Sequence, residues 1–110
     1  MEDLSALVLM TRLANQLGGL VSALDIDLIG KETQKALNAI KHLAAEARLD
    51  VRDYEMSDSR ADMEKNARIA VKRLEELRGQ ILLASEHGIF SAVDVVVLSA
   101  QLDEIVSKLG

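Results

Sequence analysis

The chain has no cysteine, no proline and no tryptophan, and its aromatic side chains are Tyr54 and Phe90 alone. Without thiols, neither a disulfide framework nor a thiolate metal site can form. Without proline, no residue of the 110 removes a backbone donor from the hydrogen-bond ladder of a helix. An alanine- and leucine-rich chain with that freedom reads as a helical bundle. A cationic surplus is missing as well. The formal net charge is −5, which argues against nonspecific nucleic-acid binding, because that needs Lys and Arg to neutralise phosphates.

Long uninterrupted apolar runs are also lacking. The stretch from Leu4 to Leu24 follows Glu2 and Asp3, whereas a secretory signal begins with a basic region. Arg12, Asn15 and Gln16 interrupt it, which argues against a membrane-spanning helix there. The expectation is a soluble cytoplasmic protein with no membrane partner, folded as one domain over residues 1–110. A chain of this length buries enough surface for a core of its own.

What is present is unevenly distributed. Residues 1–30 carry one basic and four acidic side chains, and residues 91–110 carry one basic and three acidic. The remaining charges fall between them. A helix that is apolar nearly all round must be covered, by its own domain or by a partner.

The apolar spacing predicts four helices. The first runs from about Asp3 to Leu24, with Leu4, Leu7, Val8, Leu13, Leu17, Leu20, Val21 and Leu24 at helical intervals. Gly18 and Gly19 in its middle point to a kink or a close helix crossing. They lack the wider glycine spacing and the lysine of a phosphate-binding loop. Asp25 to Gly30 is a connection, with Ile26 and Ile29 expected to turn inward. The second helix carries Leu37, Ile40, Ala44, Ala47, Val51 and Tyr54 in alternating steps of three and four, which is one apolar seam. Glu55 to Ser59 reads as a polar turn, and Ser59 with Asp62 as a helix cap.

The third helix shows the cleanest period: Met63, Ala67, Ala70, Leu74, Leu77, Ile81 and Ala84. Gly88 supplies the left-handed residue that ends it, with Ile89 folding back over the last turn. The fourth opens at Ser91 as N-cap, with Asp94 at the positive helix end and Phe90 placed to pack on Val95. Val95, Leu98, Leu102, Ile105 and Leu109 form its seam, widened by Ala92, Val93, Val96, Val97 and Ala100. Short connections predict an all-α, antiparallel, up-down-up-down four-helix bundle.

Chemistry is sparse. His42 has Glu46 one turn later. A metal centre in a bundle core needs Glu-x-x-His pairs, and positions 39 and 84, three before His42 and His87, are both alanine. His87 suits the negative end of the third helix. Asp50, Asp53, Glu55 and Asp58 do not follow calcium-loop spacing and read, with Arg48, Arg52 and Arg60, as a solvated ion-pair patch. Lys65, Arg68 and Lys72 alternate with Glu64, Glu75 and Glu76 on a wet face, with Glu64 and Arg68 one turn apart. No metal, cofactor or small-molecule substrate is indicated.

Leu77, Arg78, Ile81, Ala84 and Gly88, followed by Ser99–Ala100–Gln101–Leu102–Asp103, give residues 74–109 a likeness to a known family. This segment resembles the sporulation-type aspartyl-phosphate phosphatases, helical hairpins with a Ser-Gln-Glu-Leu-Asp signature on the second helix. Ala100 stands where the signature has glutamine, and Gln101 where it has glutamate. The resemblance implies dephosphorylation of a response regulator, with Ser99, Gln101 and Asp103 as the residues that would act. The residues themselves favour a non-catalytic interaction module. In that reading the first and fourth helices leave apolar surface, with Leu9, Leu13, Leu20, Val93, Val96 and Val97 as its candidates, for a second copy or a protein partner.

Overall fold

The structure, a computed structural model, describes residues 4–110 and every side chain among them except that of Ile26. Four α-helices make up the fold, with no strand among the described residues: α1 (Ala6–Ser22), α2 (Lys31–Glu55), α3 (Arg60–Glu86) and α4 (Ala92–Leu109). A single 3-10 turn over Ile26–Leu28 joins α1 to α2. The predicted start of the first helix at Asp3 and the inward turn of the Ile26 side chain lie outside the described residues.

Local chemistry explains each boundary. Ser5 caps α1, its hydroxyl accepting from the Val8 amide at 3.2 Å. The Leu7 amide, another donor left free at a helix start, finds the Glu55 carboxylate at the end of α2 at 2.9 Å. A carboxylate there also suits the positive helix end. Ser59 accepts from Asp62 N at 3.1 Å to open α3. Gly88, at φ +78°, closes α3. Its amide donates to the Ser85 carbonyl at 2.9 Å, and the Ile89 amide donates to the Ala84 carbonyl at 3.1 Å. That pair of bonds satisfies two carbonyls the helix end would otherwise strand. Ser91 and Asp94 then cap α4 reciprocally, each side chain bonded to the other's backbone amide.

The core lies where the helical faces meet. α1 packs on α2 and α4, and α3 packs on the same two helices, with α2 against α3 the most extensive pairing. From α2 it takes Leu37, Ile40, Ala44, Ala47 and Val51, and from α3 it takes Ala67, Ala70, Leu74, Leu77, Ile81 and Ala84. Both seams are those the spacing predicts, save that Tyr54 is only half-buried and Met63 is 40% exposed. The reason for Met63 is length. α4 has 18 residues against 27 in α3, about 27 Å against about 40 Å at 1.5 Å per residue. α4 is therefore too short to cover α3 along its whole length.

The α1 glycines also depart from expectation. Gly18 and Gly19 neither break the helix nor admit a close neighbour. A Cβ built on either meets nothing within 4 Å, so no close crossing occurs there. No helix among the described residues is long and apolar enough to cross a membrane.

Candidate functional site

Helix α1 turns one broad arc inward, comprising Ala6, Leu9, Met10, Leu13, Leu17 and Val21. Leu9 is 8% exposed and Leu13 is fully buried. These two proposed interface residues are therefore core residues, because α1 lies against both α2 and α4 and needs the whole arc to cover them. Leu20 is half-buried against the same core. The outer line of α1 is Val8, Arg12, Asn15 and Gly19, all exposed. A helix with a single charged side chain thus still has one face in water rather than being buried all round.

Helix α4 differs. Its seam of Leu98, Leu102, Ile105 and Leu109 is buried, while Val93 is 71%, Val96 67% and Val97 39% exposed. Ala100, also exposed, completes steps of three, one and three, which set the four side chains on one face of the helix. Three β-branched side chains in water on a single face depart from ordinary helix patterning. The acidic side chains of α4 are Asp94, Asp103 and Glu104, and its one cation is Lys108, in the last turn.

Nothing in the spacing of the seams announced a second feature, a cleft of about 230 Å³ between α1 and α2. Its floor is made by the buried Leu17 and Val21 of α1 and Ile40 and Ala44 of α2, its open sides by Ala14, Gly18 and Ala45, and its rim by Lys41 and Arg48. It continues past Leu7, Leu49 and Arg52 at one end, and past Leu37 and Asn38 at the other. A faint signal existed in the alanine and glycine residues four apart on α1, although their alignment with Ala44 and Ala45 depends on how the two helices are rotated.

The residues carrying the phosphatase resemblance do not converge. Asp103 is exposed and its carboxylate accepts from the Arg78 guanidinium on α3. Ser99, one turn before it, is half-buried. Gln101 points elsewhere, since two residues along a helix turn a side chain by about 200°. Its amide donates to Gln16 Oε1 on α1 at 2.7 Å, and its own Oε1 is buried without a hydrogen-bond partner. The structure thus groups Ser99 with Asp103 and sends Gln101 into the α1–α4 seam.

The charged belt rearranges the expected pairs. Glu64 meets Arg60 at 3.5 Å rather than Arg68. Glu46 is held by Arg73 at 2.6 Å and so is not the partner of exposed His42. Arg73 also donates to Asp50 at 3.0 Å. The hydrogen bond to Asp50 is the main reason the Arg73 guanidinium sits above its ordinary pKa, with the charges of Asp50, Glu46 and Glu76 adding to it against the cost of desolvation. Among the described residues, no three His, Asp or Glu side chains gather as a metal ion would require. Comparison with family models, with curated proteins and with solved structures gives no match.

Proposed function

We propose that this protein is a non-catalytic cytoplasmic interaction module, and that it self-associates or docks a protein partner through the outer face of α4. The observation that carries the reading is the exposed line of Val93, Val96 and Val97. Single exposed hydrophobics are ordinary on any surface, but several on one helical face mark a surface that gains by being covered. In this reading the helices run up-down-up-down. The contacts joining the start of α1 and the start of α3 to the end of α2, through Leu7 with Glu55 and Asn66 with the Asp53 carbonyl, support that arrangement. So does the bond from the Tyr54 hydroxyl to the Lys108 carbonyl at the end of α4.

Such a module needs no metal, cofactor or small-molecule substrate, and the net charge of −5 makes nucleic acid a poor partner. The other function, a phosphatase of aspartyl phosphate, would require Gln101 to leave Gln16 before its amide could face a substrate. Sedimentation velocity tests the interaction reading. The wild type should grow in mass with concentration in the micromolar range, and Val96→Asp should hold it as a folded monomer. A wild type that stays monomeric throughout and binds no apolar dye removes the motive for an interface.

A further inference from the structure

The cleft between α1 and α2 is bordered along one flank by cations and polar residues. On the flank of α2 that borders it, positions 34, 38, 41, 45, 48 and 52 follow one another at steps of three and four and read Gln, Asn, Lys, Ala, Arg, Arg. No acidic residue interrupts the line, although the chain as a whole is acidic. The residues contributed by α1 are uncharged. Lys41 and Arg48 make no ion pair among the described residues, and Arg52 reaches only its own neighbour Asp53, at 3.9 Å. Beneath this rim the floor is apolar, and small side chains at Ala14, Gly18 and Ala45 leave it open to solvent. From Gln34 to Arg52 the cleft follows 18 residues of rise, about 27 Å at 1.5 Å each.

An occupant should therefore be long, apolar on one side and anionic at its margin. The chain itself carries such an object. α4 is also 18 residues long, exposes Val93, Val96, Val97 and Ala100, and has no cation before Lys108. Glu104 is exposed one turn beyond Ala100 and makes no ion pair among the described residues.

We infer that the α1–α2 cleft receives α4 of a second copy of this chain, with the valines over its apolar floor and Glu104 against the Arg48 side of the rim. This rests on the interaction reading above and names its partner. The two surfaces differ, so the contact is heterologous. It closes into a dimer only if each copy offers its α4 to the other's cleft.

Charge exchange provides the test. Arg48→Glu and Glu104→Lys lie on exposed side chains and should leave helicity and thermal midpoint unchanged. Each should raise the concentration at which mass growth reaches its midpoint by about tenfold, the equivalent of about 1.4 kcal/mol. Joining both substitutions in one chain should bring that midpoint back to within about threefold of the wild type. Association of the wild type should also weaken as salt is raised, since the rim charges are open to screening. If Val96→Asp abolishes association while Arg48→Glu leaves it at wild-type strength, α4 meets another surface. The cleft proposal then fails and the interaction reading survives. A wild type that is monomeric at every concentration overturns the second-copy proposal and self-association together.

Discussion

Single residues decide more here than the composition implies. Leu77 is fully buried near the middle of the α3 seam, with Leu74 and Ile81 on either side of it in the core. Truncating it removes three carbons from a site that cannot collapse without moving two helices. Leu77→Ala should cost about 2–5 kcal/mol, read as a lower denaturant midpoint at constant slope, and a loss under about half a kcal/mol would mean the seam is drawn on the wrong face. Arg73 shows the smaller scale of a polar contact. It joins Glu46 and Asp50 of α2 to α3, but water still reaches all three groups. Replacing it by methionine keeps the aliphatic stem and strands two carboxylates, so Arg73→Met should cost only about 1 kcal/mol. Because a pKa raised on folding contributes stability that is lost only as pH rises through it, that contribution should hold across the whole neutral range. A denaturation series between pH 6 and pH 9 should show a constant difference between Arg73→Met and the wild type.

At the scale of the helix, two glycines make opposite predictions from the same absence of a side chain. Gly19 lies inside α1 with ordinary helical backbone and open space around its missing Cβ. Alanine there loses less entropy on folding and meets no neighbour, so Gly19→Ala should stabilise the fold by about 0.5–1 kcal/mol. Gly88 also has open space, but its φ of +78° is one that L side chains disfavour. Gly88→Ala should destabilise by about 1–2 kcal/mol. Thermal melts of the two variants should move in opposite directions. The α3–α4 turn was legible in the sequence because its parts are local: a glycine, then Ser-x-x-Asp three residues on. Each signal acts within one turn of backbone, so no knowledge of the other helices is needed to read it. The role of Gly19 was not legible, since whether a mid-helix glycine admits a neighbour is a fact about the neighbour.

The same division between local and relational information runs through the whole molecule. The seams of α2 and α3 could be read directly because most residues on their other faces are charged or polar, so the line with the most regular period stands out. α1 offers several solutions, of which one leaves Leu9 and Leu13 outward, and the packing turns them in. The pairs that tie helices together, Gln16 with Gln101 and Arg73 with Asp50, lie far apart in sequence and depend on helix rotation, as does the α1–α2 cleft. Val93, Val96 and Val97 could be singled out beforehand because α4 has more apolar residues than one seam can hold.

That surplus also frames the choice between the two functions. A phosphatase must place several polar groups of one chain around the reacting phosphoryl group. Here Asp103 is engaged by Arg78 and Gln101 by Gln16, on different sides of α4. The expected outcome is that the lifetime of a phosphorylated receiver domain, followed across a panel of such domains, is unchanged by stoichiometric addition of this protein. Asp103→Ala should leave that null result as it is, and at most loosen the contact with α3, because the exposed carboxylate pairs near the surface. Turnover by the wild type that disappears in a folded Asp103→Ala variant would reverse the preference. It would mean that Arg78 and Gln16 release their partners when a receiver binds, so that the polar groups of α4 assemble only in the complex.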